Sequence, residues 1–145
     1  MSDIEIQPFE SAQLQQVVDL WQRCELTRPW NDPVHDIHFC QQSKDSELLV
    51  LVRDGKLIGS VMVGHDGHRG WVYYLAVSPV FQRSGYGAFL LESAEQWLGE
   101  HNVPKLNVMI RDANKKAISF YRRLGFAQDE VVVMSKRYFD PRGGD

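Results

Sequence analysis

The stretch that decides the fold reads Gln82-Arg83-Ser84-Gly85-Tyr86-Gly87. An apolar run over residues 71–77 precedes it and predicts a buried strand, which Pro79 ends because proline cannot continue a ladder. An apolar pattern of helical period follows it. Glycine permits positive φ and a close approach of a ligand to the backbone, and the free amides at a helix start attract anions. A strand, a glycine-bearing turn and a helix start together predict a site for a phosphate or pyrophosphate.

Length and composition indicate a single domain. A chain of 145 residues can bury a full core without disulfides or metal, and we expect one domain over residues 1–139 with a frayed tail over 140–145. Two cysteines, Cys24 and Cys40, make no disulfide framework and fit a reducing, cytoplasmic compartment. The net charge of −3 argues against non-specific nucleic-acid binding. Neither a membrane span of roughly 20 apolar residues nor a signal peptide is indicated.

The first part of the chain predicts one strand and two helices. Residues 4–6 alternate between apolar and polar, which indicates a short strand. Ser11 stands where an N-cap would begin a helix that ends near Cys24. Asp32 followed by Pro33 predicts the start of a second, short helix. Val34, Ile37 and His38 fall on one face of that helix.

The rest of the chain predicts a meander followed by two helix–strand units. Strands over 47–53 and 56–64 flank Asp54-Gly55, the strongest short hairpin signal, and Asp66-Gly67 leads into the strand over 71–77. Three further elements complete the order: a strand over 105–110, a helix from 112–114 to Leu124, and a last strand over 131–136. Because a helix joins strands 71–77 and 105–110, they should be parallel neighbours. The fold class is α/β (α+β), with a mixed sheet and helices on both faces.

Two motifs in this chain together resemble the GNAT superfamily of N-acetyltransferases. The phosphate-loop pattern of that family is Arg or Gln, two residues, Gly, one residue, then Gly or Ala, and residues 82–87 match it fully. Its Asn…Tyr-x-x-x-Gly-Phe segment is similar to Asn114 with the run over 117–126. The order of elements is similar over essentially the whole chain, and residues 28–33 and 66–70 resemble a bacterial, YpeA-like subgroup. The resemblance implies a mostly antiparallel sheet and an acetyl-CoA-dependent N-acetyltransferase that acts on a primary amine.

The resemblance also implies a set of cofactor contacts. The backbone of Leu75, Ala76 and Val77 would pair with the pantetheine arm of acetyl-CoA like an added strand. Asn114 would hydrogen-bond the cofactor. The phosphate loop begins at Gln82, and the amides that would hold the pyrophosphate belong to Arg83, Ser84, Gly85, Tyr86, Gly87 and Ala88. A backbone amide of strand 71–77 would polarise the thioester carbonyl. Acetyl-CoA is the expected co-substrate, and no metal is expected.

Tyr121 is the predicted general acid. By the resemblance it would protonate the leaving thiolate, and the ordinary pKa of a phenol, about 10, is close to that of an alkyl thiol. The alternative is a core tyrosine, since Tyr121 is in helical register with Ile118 and Leu124. The general base stays open, because related enzymes often carry a glutamate where this chain has Tyr73. The candidates are a water chain from Tyr73 or Tyr74, or one of Asp32, Asp36, Glu47, Asp66 and His68.

The acceptor site is predicted around the loop between the first two helices. Trp30, Asn31, Asp32 and Tyr73 are its candidate residues, because an aromatic ring beside a carboxylate suits a cationic small molecule or a peptide N-terminus. The same loop residues also suit a buried anchor. The histidine pairs at 35 and 38 and at 65 and 68 lack a convincing third metal ligand.

Two classes of function remain open. The first is an N-acetyltransferase in which the amine attacks the thioester directly in a ternary complex. The second is a non-catalytic module that binds or senses acyl-CoA, which the missing strand carboxylate favours. The expected partners are acetyl-CoA and an amine acceptor, with no nucleic acid and no membrane, and the chain is expected to be a monomer or a homodimer.

Overall fold

The computed structural model describes residues 3–141, which form one sheet with helices on both of its faces. The strands are β1 (Ile4–Pro8), β2 (Ser46–Arg53), β3 (Lys56–His65), β4 (Gly70–Val77) and β5 (Leu106–Val108). The helices are α1 (Leu14–Arg23), α2 (Pro33–Gln42), α3 (Tyr86–Glu100) and α4 (Lys115–Arg123). The strand order is β1-β2-β3-β4-β5, antiparallel up to β4 and parallel between β4 and β5. The predicted mixed, mostly antiparallel class and the parallel pair are confirmed.

The β2–β3 hairpin follows from two residues of local sequence. Asp54 and Gly55 have φ values of +50° and +81°. A two-residue hairpin turn of the type that matches strand twist needs positive φ at both positions, which aspartate tolerates and glycine favours. Arg53 and Lys56 close the ladder directly beside the turn. The predicted hairpin is therefore confirmed with its turn geometry.

The sheet separates two apolar clusters. On one face, α1 and α2 bury Trp21 and Ile37 against β2 and β3. On the other face, α3 contributes Leu90, Leu91, Ala94 and Leu98, and α4 adds Tyr121. The helices are held to the sheet by these apolar stripes, since burial of apolar surface is the main favourable contribution to folding. Each face of β4 thus meets a different pair of helices.

The structure corrects the predicted cap of the first helix and defines the buried face of the second. A 3-10 turn over Ser11–Gln13 precedes α1, and its N-cap is Glu10 rather than Ser11. The amide of Glu10 donates to the side-chain oxygen of Gln13 at 2.9 Å, so the chain turns one residue earlier than the serine suggested. In α2, Ile37 and Cys40 are buried, whereas Val34 and His38 are exposed. The buried face of α2 therefore contains Ile37 and, one i, i+3 step later, Cys40.

The predicted last strand over 131–136 is wrong. Residues 131–140 have no regular secondary structure, and the side chains from Val131 to Met134 are 63–91% exposed. A β-branched run needs a neighbouring ladder, and β5 offers an edge of only three residues. Of the tail predicted over 140–145, residues 142–145 lie outside the described residues, and the domain limits stay a prediction. Within residues 3–141, no helix is long and apolar enough to cross a membrane.

Candidate active site

The site begins where β4 parts from β5. β5 pairs only with Gly70, Trp71 and Val72, so the edge of β4 over residues 73–77 has no strand partner on that side within the described chain. The gap opens into a cleft of about 1710 Å³. Residues of α2 line one part of it and residues of α4 line another, so the cleft has walls from both faces of the sheet. An unpaired strand edge inside such a cleft can pair with an extended ligand.

A β-bulge shapes the free edge of β4. Ser60 stands opposite Ala76 and Met62 stands opposite Tyr73, so Tyr74 and Leu75 both face Val61. Tyr74 has a φ of +54°, which is unusual for an aromatic residue and costs on the order of 1–3 kcal/mol. Such strain persists only where the surrounding structure holds it in place. The bulge is therefore a feature that other residues must stabilise.

Three side chains hold the bulge. The Trp21 ring stacks on Tyr74 with centroids 3.7 Å apart and planes 7° apart. The Ser60 hydroxyl, 0% exposed, accepts from Trp21 Nε1 at 2.9 Å and donates to the Tyr74 carbonyl at 2.8 Å. The Tyr74 hydroxyl donates to Asp36 Oδ2 at 2.6 Å. Burial, and then the hydrogen bond to Asp36, raise the pKa of Tyr74 well above its usual value, so this phenol stays a donor.

The glycine turn has the geometry of an anion site. Gly85 is the N-cap of α3 with a φ of +82°, and Arg83 before it has a φ of +64°. The first amides of a helix have no intrahelical acceptor, so those of α3 are available to a ligand. At Gly87 an added Cβ would lie 3.3 Å from the Phe120 ring. From 82 to 88, every residue except Ser84 lines the cleft. The contacts of this turn with a cofactor stay a prediction.

Gln82 joins the turn to the end of β4. Its Nε2 donates to the Val77 carbonyl at 3.1 Å, and Cys24 Sγ donates to the same oxygen at 3.2 Å. The side chain that begins the phosphate-loop pattern is thus directed at the protein backbone. Among the predicted pantetheine contacts, Leu75 and Val77 line the cleft, while Ala76 is buried beneath it.

Tyr121 presents a polar group to the cleft from a buried position. The side chain is 7% exposed, and its ring packs edge-on against Phe120 and Phe126 at centroid distances of 5.1 and 5.3 Å. Its hydroxyl has no hydrogen-bond partner among residues 3–141, although the residue lines the cleft. Burial raises the pKa of Tyr121 to about 12, so the phenol is protonated at any physiological pH. The residue is buried, but its unpaired hydroxyl is accessible from the cleft. Such a donor suits a ligand atom that develops negative charge.

The Tyr-x-x-x-Gly-Phe segment owes its form to the end of α4. Gly125 has a φ of +95°, its amide donates to the Arg122 carbonyl at 3.1 Å, and the Phe126 amide donates to the Tyr121 carbonyl at 3.0 Å. This pair of bonds is the Schellman cap, which needs glycine at the left-handed position. Phe126 then packs on the Tyr121 ring. The glycine and phenylalanine of the motif thus hold the Tyr121 ring in its position.

Two predicted ligand-binding side chains serve as helix caps. Asn114 Oδ1 accepts from the Ala117 amide at 3.1 Å, which leaves its amide nitrogen for a cofactor. Asp32 Oδ1 accepts from the amides of Val34 and His35 at 3.0 and 3.3 Å. Both arrangements satisfy backbone donors that the first turn of a helix leaves free.

The predicted acceptor residues divide into two groups. Asn31 and Tyr73 line the cleft, and Trp30 and Asp32 do not. Trp30 is 43% exposed and carries the Arg111 guanidinium 5.5 Å above its ring, so it is not a buried anchor. Sequence reasoning missed Trp21 and Ser60, whose partners lie far away along the chain. Among the described residues, no three His, Cys, Asp or Glu side chains come together as a metal site.

Comparison with known proteins identifies the family. The model of the acetyltransferase (GNAT) family matches residues 14–126. The chain belongs to the GNAT family. A relative named acetyltransferase YE1169, from Yersinia enterocolitica, is 38% identical over 135 residues, which cover 92% of this chain and 95% of the relative. This GNAT protein is thus an enzyme of the acetyltransferase class; its assignment to a YpeA-like subgroup stays a prediction.

Solved structures share the fold at low identity. The aminoglycoside N-acetyltransferase AAC(6')-Iy in complex with CoA has a TM-score of 0.82 at 16% identity, with 94% of this chain and 96% of that chain covered. A transcriptional regulator from Bacillus halodurans has a TM-score of 0.80 at 16% identity, with 94% and 100% covered. At such identity, the likeness shows that the GNAT fold is common to all three.

Proposed function

We propose that this GNAT protein transfers an acetyl group from acetyl-CoA to a primary amine. The observation that carries the proposal is the free edge of β4 over residues 73–77, which ends beside a left-handed Gly85 at the start of α3. The edge suits the amide-bearing pantetheine arm, and the helix start suits the pyrophosphate. CoA in the complex of the aminoglycoside N-acetyltransferase with the same fold supports this choice of co-substrate.

The reaction has three requirements, and the site offers groups for two of them. A backbone amide on the free edge of β4 would stabilise the oxyanion that forms on the thioester carbonyl. The unpaired hydroxyl of Tyr121 would donate to the sulfur as the C–S bond breaks. Holding both substrates in one cleft supplies proximity and orientation. The third requirement is an uncharged amine, which needs a proton acceptor.

The environment of the two cysteines is consistent with direct attack by the amine on the thioester. Burial raises the pKa of the Cys24 thiol and of the Cys40 thiol. A thiol is nucleophilic as its thiolate, so a raised pKa makes either side chain a poor acyl carrier. Cys24 also donates to the Val77 carbonyl, which supports a packing role. We therefore propose a ternary complex without an acetyl-enzyme.

A second candidate function has its own support. β4 carries no carboxylate, and Tyr73 stands where related enzymes often have glutamate. A structure of the same fold carries the name of a transcriptional regulator. A module that binds acyl-CoA without turnover would fit these two facts. The unpaired Tyr121 hydroxyl favours turnover instead, because a sensing site has no need of a proton donor at the cleft wall.

Location and partners belong to the same proposal. We propose a cytoplasmic protein, because its two thiols are free and cytosolic thiols stay reduced. Its partners would be acetyl-CoA and an amine. The protein would be a monomer or a homodimer, and it would bind neither nucleic acid nor a membrane.

The test combines binding with turnover. Acetyl-CoA is titrated calorimetrically, and CoA release is then followed with a thiol reagent in the presence of an aminoglycoside, a polyamine or a peptide with a free N-terminus. Binding with amine-dependent CoA release is expected. Binding without release for any amine would favour the sensing module, and absence of binding would refute both.

A further inference from the structure

We infer that Asp36 is the residue that binds the ammonium group of the acceptor and takes its proton, so that the acceptor is a cationic primary amine. This inference rests on the proposed acetyl transfer. It concerns a carboxylate on α2, outside the strand where related enzymes often carry a glutamate. Its basis is the way in which the β4 bulge and the start of α2 present one carboxylate oxygen to the cleft.

The two oxygens of Asp36 have different surroundings. Oδ2 accepts from the Tyr74 hydroxyl at 2.6 Å, which fixes the carboxylate against the bulge. Oδ1 has no hydrogen-bond partner among residues 3–141, and Asp36 lines the cleft. The backbone of Asp36 is fixed as well, because its amide donates to the carbonyl of the N-cap Asp32 at 2.9 Å. One oxygen is thus held in place while the other can receive a ligand proton.

The other candidate bases are either hydrogen-bonded elsewhere or outside the cleft. Asp66 accepts from the His68 and Arg69 amides through Oδ1 at 2.9 and 2.8 Å and from Trp71 through Oδ2 at 3.3 Å. The two backbone hydrogen bonds, first of all that from Arg69, lower the pKa of Asp66, which makes it a weaker base. Asp32 caps α2 through Oδ1 and does not line the cleft. Neither Glu47 nor His68 lines the cleft.

The charges around Asp36 favour a cationic ligand. The carboxylates that line the cleft besides Asp36 are Glu25, Asp45 and Asp66. Its cationic side chains are Arg28, Arg83, Arg111, Lys116 and Arg123, and its other titratable groups are His65, Cys24, Cys40, Tyr73, Tyr74, Tyr86 and Tyr121. Asp45 lies 3.6 Å from His65, and the Arg28 guanidinium donates to the carbonyls of Glu25 and Thr27. Arg83, Lys116 and Arg123 belong to the glycine turn and α4, whereas Glu25, Asp45 and Asp66 belong, like Asp36, to segments next to α1, α2 and β3. The carboxylates thus lie in other segments than the predicted phosphate site, which favours a cation at Asp36.

The positions of Asp36 and Tyr121 divide the reaction between the two faces of the sheet. Asp36 is held by Tyr74, which packs with the cluster of α1 and α2, and Tyr121 belongs to the cluster of α3 and α4. The free edge of β4 runs between them, and both residues line the same cleft. An acceptor held at Asp36 would thus meet a thioester on β4 from the side opposite the leaving sulfur.

The proton balance assigns Asp36 one transfer. The bound ammonium gives one proton to Asp36 Oδ1, and the free amine then attacks the thioester carbon, forming C–N as C–S breaks. The sulfur takes a proton from Tyr121, and the attacking nitrogen loses a second proton that restores the phenol. Asp36 releases its proton to solvent. The products are amide, CoA thiol and one solvent proton.

The test is the pH profile of Asp36→Asn. With its base present, the wild type uses the ammonium form, so kcat/KM stays level from pH 7 to 9. The variant depends on free amine, so log kcat/KM should rise by one per pH unit towards the pKa of the acceptor, about 10.4 for a lysine-like amine. At pH 7, kcat/KM should fall by roughly a hundred- to ten-thousandfold.

Two further variants separate base from scaffold. Tyr74→Phe keeps the ring stacked on Trp21 and removes only the hydroxyl that orients Asp36. Its kcat should fall less than that of Asp36→Asn, and its pH profile should stay level because the base is still present. Asp19→Asn removes an equal charge from an exposed part of α1, where Asp19 only accepts from Gln15 at 2.8 Å, and should behave as wild type.

The outcomes distinguish this inference from the proposed function. The probes are spermidine, an aminoglycoside and lysine amide, with acetyl-CoA titrated into every variant and expected to bind within twofold of wild type. An active wild type with an equally active Asp36→Asn, or a variant whose reduced rate stays level with pH, would overturn the role of Asp36 alone. A wild type that acetylates an uncharged amine, such as an aromatic amine, but none of these cations would overturn the acceptor class. Binding of acetyl-CoA without acetylation of any amine would refute the proposed turnover itself. Failure to bind acetyl-CoA would refute the proposed function itself.

Discussion

Replacing Tyr121 with phenylalanine removes one hydroxyl and leaves the ring among Phe120 and Phe126. That hydroxyl has no hydrogen-bond partner among the described residues, so the fold should lose little stability at neutral pH. If the phenol assists the leaving thiolate, kcat should fall by roughly a hundred- to ten-thousandfold. Affinity for acetyl-CoA should change much less, because one neutral hydrogen bond contributes about 0.5–1.5 kcal/mol.

The same hydroxyl predicts a change in alkaline stability. Burial raises the pKa of Tyr121 from 10 to about 12, so above pH 10 the unfolded chain loses this proton before the folded protein does. The unfolded state then binds fewer protons, and the free energy of unfolding falls as the pH rises. At pH 11 the loss from this one group is about 1.4 kcal/mol, since one pKa unit corresponds to about 1.36 kcal/mol. Tyr121→Phe cannot show that loss.

The assay is urea unfolding of wild type and variant at pH 8 and pH 11. The wild type should lose about 1.4 kcal/mol more than Tyr121→Phe between the two pH values. Tyr74, whose pKa is also raised, titrates in both proteins and cancels in the comparison. Equal losses would contradict the burial of the phenol, and a wild-type kcat in the variant would make Tyr121 a core residue only.

Two further predictions concern the cofactor turn and the cysteines. Gly85→Val should raise the Kd for acetyl-CoA about tenfold or more, because a β-branched residue resists a φ of +82° and displaces the helix-start amides. Gly55→Val is the matched control, since Gly55 has a φ of +81°, equally open surroundings and a place in a hairpin turn, so calorimetry should find its affinity unchanged. Incubation with labelled acetyl-CoA followed by intact-mass measurement should show no acetylated protein; an adduct on either cysteine that then passes to the amine would contradict direct attack.

Local signals account for the parts of the fold that the sequence predicts well. The Asp54-Gly55 turn, the Pro33 start of α2 and the Gly125 end of α4 each depend on residues within one turn of the chain. The strand over 131–136 failed for the opposite reason. Its β-branched residues are a local signal, but a strand needs a ladder partner, and β5 ends after Val108. Pairing is a property of two segments, so one segment alone cannot establish it.

The β-bulge in β4 could not be predicted from the sequence of residues 71–77. Two consecutive tyrosines in an apolar run look like any buried strand, and nothing in the run marks a positive φ at Tyr74. The conformation depends on Trp21 and Ser60, which are distant in sequence and give no pattern of their own. For the same reason the sequence alone does not distinguish Asp36 from the other candidate bases. Its contact with Tyr74 joins two segments that are distant in sequence.

Side-chain chemistry alone also left cap and ligand contacts indistinguishable. An asparagine or aspartate before a helix can accept from backbone amides or bind a ligand, and the sequence pattern is the same for both. Asn114 and Asp32 each accept from amides of the helix that they begin. Asn114 still has its amide nitrogen for a cofactor, whereas the Asp32 carboxylate serves α2. The distinction depends on which polar atoms remain after the backbone is satisfied.

The pKa of Tyr121 constrains the proposed proton path. A phenol with a pKa of about 12 is a weaker acid than an alkyl thiol, whose pKa is about 10, so donation to a free thiolate would be unfavourable by roughly 3 kcal/mol. The attacking nitrogen can supply the proton instead. It carries a positive charge once the C–N bond has formed, and it is then a much stronger acid than the phenol. If its proton restores the phenol as the sulfur is protonated, Tyr121 never accumulates as a phenolate. That proton is available only if the first one has already left the ammonium, which is the transfer proposed for Asp36. Two protons thus require two groups, one on each face of β4.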